Sequence, residues 1–176
     1  MKFQRLPLIY TGPTTPTPTR PPPECLIYTS VAQMSPLGEP SDSMNATNLN
    51  TIALIALSDY HILDCPPTVH GRPAGTAAIN DRSSRPTESD FQFMTSLNHS
   101  IRFHTHQGFR ADELLYIEAN CPWANGRRAQ VDSKIFSGDG KLLATCEQGC
   151  YFVMKEESEQ TGQRRWVMDD GGKSKL

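Results

Sequence analysis

Cys146 and Cys150 stand four positions apart, a spacing at which two thiolates can share a metal ion. No second Cys or His pair is suitably placed to complete such a site, so the thiols are read as small buried side chains. The five cysteines, Cys25, Cys65, Cys121, Cys146 and Cys150, are odd in number and scattered. That pattern argues against a disulfide scaffold and for a reducing compartment. The matches Asn45-Ala46-Thr47 and Asn98-His99-Ser100 are then without use as glycosylation sites. The basic pair Arg127-Arg128 can either meet phosphate groups or solvate a loop. Asp59 falls near the C-terminal end of the strongest helical pattern. The negative end of a helix dipole, together with partial loss of water, makes a carboxylate a better proton acceptor.

The elements that must position these groups are legible from periodicity. In residues 48–63, Leu49, Ile52, Ala53, Ala56, Tyr60 and Leu63 recur at steps of three and four, and Ile55, Leu57 and Ile62 add a second apolar side. A helix apolar nearly all round is expected to be buried. Ser43 or Asn45 would cap its start, and Pro66-Pro67 would end it. Residues 64–90, rich in Pro, Gly, Ser and Arg, are expected to form a long loop. Strands are expected at residues 25–31, 91–104, 114–119, 127–136 and 141–154, with Asn120-Cys121-Pro122 as a breaker and Ser137-Gly138-Asp139-Gly140 as a hairpin turn. One buried helix followed by an antiparallel meander predicts an α+β fold, a sheet wrapped around a central helix. The half-apolar outer face suggests that the domain does not work alone.

The ends differ in composition. Residues 11–23, TGPTTPTPTRPPP, carry almost no apolar side chains, so residues 1–24 are expected to be a disordered Thr/Pro-rich tail. Residues 25–154 would form the folded domain, and residues 155–176 a charged flexible tail. That tail ends in Ser174-Lys175-Leu176, the tripeptide that a peroxisomal import receptor reads at a free C-terminus. The expected address is the peroxisomal matrix. With 37% hydrophobic residues and a formal charge of −2, nothing suggests a nucleic-acid groove. No apolar run approaches the roughly 18 to 20 residues of a membrane span.

Four blocks carry a resemblance. They are Ser58-Asp59-Tyr60; Ser96-Leu97-Asn98-His99-Ser100-Ile101-Arg102-Phe103-His104; Gly108-Phe109-Arg110-Ala111-Asp112-Glu113-Leu114-Leu115-Tyr116; and Asp139-Gly140-Lys141-Leu142-Leu143-Ala144-Thr145-Cys146-Glu147-Gln148. In this order, over residues 50–153, the chain resembles the C-terminal half of type II acyl-CoA thioesterases, a tandem hot-dog family. The resemblance implies a single hot-dog fold here and acyl-CoA as substrate. It places a catalytic triad on Asp59, Ser96 and Gln148, and calls for no metal or cofactor. It also implies a second hot-dog domain, which these 176 residues do not include. A homo-oligomer or a partner domain is expected to supply it.

The chemistry is sound on its own terms. A thioester is activated enough for direct attack by a positioned water. One carboxylate serves as base, and two neutral groups that donate and accept hydrogen bonds can aim the water. Arg127 and Arg128 would then meet the phosphates of coenzyme A. His99 and His104, inside the second block, are read as packing or hydrogen-bonded strand residues. The sequence departs from the family pattern where Asn98 replaces an Asp and Gly149-Cys150 replaces Glu-Gly. The loop between Asp59 and Ser96 is also longer than usual. An enoyl-CoA hydratase on the same fold would need an Asp and a His five apart on the helix. Asp64 occupies that position and His61 lies only two away, so that reading fails. A non-catalytic or partner-dependent subunit that binds acyl-CoA remains the competing expectation.

Overall fold

The structure of the chain is a computed structural model that describes residues 1–13, 21–36, 46–59, 62–72, 91–105 and 108–154. Strands β1 (Lys2–Arg5), β2 (Ile9–Tyr10) and β3 (Leu26–Gln33) precede helix α1 (Ala46–Asp59) and the short helix α2 (Cys65–Val69). Four long strands follow: β4 (Phe91–Phe103), β5 (Leu115–Asn125), β6 (Arg128–Phe136) and β7 (Leu142–Met154). They form one antiparallel sheet in the order β1-β3-β5-β6-β7-β4, with β2 also paired to β3. Ala53, Leu54 and Leu57 of α1 are buried with Tyr28, Leu115, Val131, Ile135, Leu143 and Phe152 of the sheet. This is the expected α+β hot-dog fold, with the sheet curled around one helix.

α1 buries one side only. Ile52 and Ile55 remain exposed, so the second apolar side does not make this helix an enclosed one. Its start is tied down by Asn50, whose Oδ1 accepts the Ala111 N–H at 2.7 Å. The expected caps, Ser43 and Asn45, lie outside the described residues, as does Tyr60. The prolines do not end α1. Ile62–Asp64 forms a 3-10 turn, and Pro66 and Pro67 sit inside the first turn of α2, where a missing N–H breaks no helical bond. α2 is wholly buried, so the expected loop over residues 64–90 begins as packed helix, and residues 73–90 lie outside the described part.

The N-terminal segment is also more ordered than its composition suggested. β1 pairs with β3 from Lys2 opposite Gln33 to Arg5 opposite Ser30, and Ile9 and Tyr10 pair with Ile27 and Leu26. The tail expected over residues 1–24 is therefore partly sheet, because β3 offers it an open edge. Residues 14–20 and 155–176 lie outside the described residues. Asn120-Cys121-Pro122 does not stop its strand either. β5 continues to Asn125 across a bulge between Asn120 and Trp123, and a bulge is where proline costs no ladder bond.

Two further bulges interrupt β4, between Phe91 and Phe93 and between Ser96 and Asn98. Each adds a residue and reverses which face the following side chains occupy. A plain alternation over this strand groups Phe93 and Leu97 with His99, Ile101 and Phe103. The bulges instead leave Phe93 52% and Leu97 55% exposed, while Ile101 and Phe103 pack against the core.

Candidate active site

Three elements bring the site together. α1 ends on Asp59, edge strand β4 supplies Ser96, and β7 supplies Gln148. Ser96 faces Cys150 in the β4–β7 register, and Gln148 lies two residues from Cys150 on β7. The two side chains thus share the face that looks toward α1.

The Ser96 hydroxyl donates to Asp59 Oδ1 at 2.9 Å. One N–H of the Gln148 amide goes to the same Oδ1, and its other N–H reaches Ser96 Oγ at 2.5 Å. The three groups close a triangle in which Asp59 Oδ1 accepts twice. Ser96 donates once and accepts once, and both Gln148 hydrogens are used. Gln148 Oε1 is left buried without a protein partner among the described residues. Gln148 is 1% exposed, so burial fixes the amide rigidly, whereas Asp59 is exposed. Among the described residues, nothing supplies the desolvation expected around Asp59.

The neighbours restrain the triangle. Ser58, buried and adjacent to Asp59, contacts His99 Nε2 at 3.1 Å and donates to the Ile55 carbonyl at 2.7 Å. His99 opposes Gln148 across the ladder. His104, one residue beyond the end of β4, has Nε2 3.0 Å from Thr145 Oγ1, so both histidines are hydrogen-bonded but only His99 lies in the strand. Ser58 belongs to a sequence block that carries the family resemblance, but nothing in its type marked it as the tie between α1 and β4. Cys150, opposite Ser96, is a buried thiol pushed up to about 12 by burial, then by Cys121 and by the negative charge of Asp59. Such a thiol stays protonated and is no competing nucleophile.

Arg127 and Arg128 sit at the β5–β6 hairpin, and neither side chain is hydrogen-bonded to the triangle. Gly126 and Arg127 both have positive φ, 56° and 63°, the signature of a tight two-residue turn. Both arginines are exposed. Arg128, with Trp123, Gln130, Leu97 and Gln148, lines an open cavity of about 250 Å³. Among the described residues, no group of His, Cys, Asp and Glu is arranged to hold a metal ion.

Residues 7–152 match the family described as the acyl-CoA thioesterase C-terminal domain. Among curated proteins, the chain is 42% identical over 87 residues to acyl-coenzyme A thioesterase 8 of Mus musculus, covering 49% of this chain and 25% of that protein. It is 45% identical over 68 residues to the Homo sapiens protein of that name, covering 38% and 21%. The matched segment is thus about a quarter of those relatives' length. Among solved structures, an acyl-CoA thioesterase II from Mycobacterium marinum superposes with a TM-score of 0.52 at 24% identity, over 88% of this chain and 50% of that one. A hypothetical thioesterase crystallised with coenzyme A, from Streptococcus pneumoniae, gives a TM-score of 0.50 at 11% identity over 89% of both chains. These two likenesses concern the fold. With the family match running from β2 almost to the end of β7, the chain belongs to the acyl-CoA thioesterase C-terminal domain family.

Proposed function

We propose that this chain is the catalytic module of an acyl-CoA thioesterase, hydrolysing fatty acyl-CoA to free fatty acid and coenzyme A. The observation that carries this reading is the closed triangle of Asp59, Ser96 and Gln148. Asp59 takes a proton from water as the oxygen attacks the thioester carbonyl. The new C–O bond forms, the C–S bond breaks, and the proton is returned to the departing thiolate. Ser96 and Gln148 orient the water, and no covalent acyl-enzyme is required. Arg127 and Arg128, exposed near one end of the sheet, are proposed to meet the phosphates of coenzyme A.

A second hot-dog domain, from a copy of this chain or a partner, is proposed to complete the site. Ser96 lies on β4, the last strand in the sheet order, and Asp59 is open to solvent. A module in that position covers the carboxylate and removes water from around it. The competing reading, a subunit that binds acyl-CoA without cleaving it, is favoured by the same exposure of Asp59. A thiol-release assay on the purified chain, across acyl lengths, separates the two. The hydrolase reading expects turnover that Asp59→Asn abolishes in a folded protein. Equal turnover by Asp59→Asn would remove Asp59 as the base. The tripeptide Ser174-Lys175-Leu176 is proposed to direct the protein to peroxisomes. Moved to the C-terminus of a fluorescent reporter, the last residues should give punctate localisation that Leu176→Asp disperses.

A further inference from the structure

We infer that Asn98 is a positioning residue for Gln148, acting across the β4 bulge through the Gly149 amide; this rests on the proposed catalytic role of Gln148. The register carries the first part of the argument. Ser96 opposes Cys150, Asn98 opposes Gly149, and His99 opposes Gln148. Two residues of β4, Leu97 and Asn98, therefore stand against Gly149 alone. In an unbulged strand, residues three apart point to opposite faces. The extra residue turns Ser96 and His99 to the same face, where one bonds Asp59 and the other contacts Ser58. The bulge thus aligns β4 with both residues at the end of α1.

A specific contact holds that bulge. Asn98 Oδ1 accepts the Gly149 N–H at 2.6 Å. This N–H belongs to the peptide group that also carries the Gln148 carbonyl, so the contact fixes the plane from which the Gln148 side chain departs. The absence of a side chain at residue 149 is part of the fit. A Cβ there would meet Asn98 Oδ1 at 2.8 Å and Cγ at 3.4 Å. Gly149 is not among the glycines with positive φ, so its backbone makes no demand for glycine, and the demand comes from Asn98. Asn98 is itself exposed, and shortening it leaves no cavity in the core. Its contribution is alignment more than stability.

The test uses the full chain and measures acyl-CoA hydrolysis by thiol release. Asn98→Ala should lower kcat about tenfold, the equivalent of one modest hydrogen bond, and leave KM within about twofold. Asn98→Asp, whose carboxylate accepts the same N–H, should recover most of that loss. Gly149→Ala should be impaired beside Asn98 but add little in the Asn98→Ala background, since the clash and the clamp are one interaction. Amide exchange at Gly149 should quicken in Asn98→Ala and slow again in Asn98→Asp, independently of turnover. Wild-type kcat and unchanged Gly149 exchange in Asn98→Ala would overturn the clamp. So would equal losses in Asn98→Ala and Asn98→Asp. A Gln148→Ala variant separates the two levels. If it keeps full turnover, the catalytic reading fails and the role of Asn98 with it. If it is inactive while Asn98→Ala keeps wild-type kcat and Gly149 exchange, only the clamp fails.

Discussion

His99 Nε2 lies 3.1 Å from Ser58 Oγ, and the hydroxyl of Ser58 donates to the Ile55 carbonyl at 2.7 Å. A serine has one hydrogen to give. That hydrogen is shared among close neighbours, the Ile55 carbonyl and the His99 ring nitrogen, so the hydroxyl sits between helix and strand. The contact ties β4 to the last turn of α1, one residue before Asp59. β4 is joined to the end of α1 by Ser96 to Asp59 and by His99 to Ser58, and β7 by Gln148 to Asp59.

That geometry separates two substitutions of His99. Glutamine can place an amide near the position of Nε2, whereas phenylalanine keeps a ring and leaves the Ser58 hydroxyl without that partner. His99→Phe should lose about 1–3 kcal/mol, as expected for a buried polar atom deprived of a partner, and His99→Gln clearly less. Thermal unfolding of both variants measures this. Equal stability of His99→Phe and wild type would show that the contact does not hold the helix end.

Ser96 is expected to act through its hydroxyl rather than through its size. Ser96→Ala should reduce kcat by about 10²-fold or more, the scale of losing one group that positions a reacting water. Ser96→Thr should retain much of the activity, because it keeps the hydroxyl and suits a strand. KM should change little in either variant, since neither removes contact with the body of the substrate. Steady-state kinetics with one acyl-CoA over a range of concentrations checks both. An active Ser96→Ala protein would exclude the hydroxyl from the mechanism.

The extent to which this site was legible in the sequence depended on what kind of information each residue carried. Asp59, Ser96 and Gln148 were named from motif blocks, which preserve residue type and order, and the fold brings the three side chains together. The strands followed from alternation and from the Asp139-Gly140 turn, where Gly140 has φ 84°. What alternation misses is a bulge, since one extra residue changes no side-chain chemistry yet reverses a face. Plain alternation puts Phe93 and Leu97 on the wrong face for that reason, and it hides the bulge at Asn98 with them. Pro66 and Pro67 misled in the opposite way. A proline pair marks a helix boundary, but only packing decides whether a helix ends or begins there. β1 and β2 could not be foreseen from their own residues, because what orders them is the open edge of β3.

Burial of the thiols gives a prediction in alkali. Cys121 is pushed up to about 12, first by burial and against a hydrogen bond with the Trp123 backbone, and Cys150 to about 12, also first by burial. In the unfolded chain both titrate near the ordinary thiol value of 9. Between these limits the unfolded state releases protons that the folded state retains. Stability is therefore complete below about pH 9 and falls as pH rises toward 12. Melting temperature should be flat from pH 7 to 9 and decline above it, and Cys121→Ala should make that decline shallower. A pH-independent melting temperature up to 11 would contradict it. Alkylation at neutral pH should likewise reach Cys121 and Cys150 only after unfolding.

β4 gives the last prediction, because it carries Ser96 and is an edge strand among the described residues. It pairs with β7 on one side and with no described strand on the other. Thirteen residues long, with Phe93 52% and Leu97 55% exposed, it has the length and apolar surface that invite pairing with another strand. A second copy added antiparallel to β4 would continue the sheet and shield Asp59. Light scattering should then give twice the 19.6 kDa of one chain. Leu97→Lys places a charge on that edge without disturbing the core, so it should yield a folded monomer with turnover reduced by at least about tenfold. If wild type is a monomer with full turnover, self-pairing is not needed, and Asp59 works while open to water. If Leu97→Lys is monomeric and fully active, the site needs nothing from the second copy. Loss of dimer and loss of kcat together would make the edge of β4 part of the enzyme's chemistry.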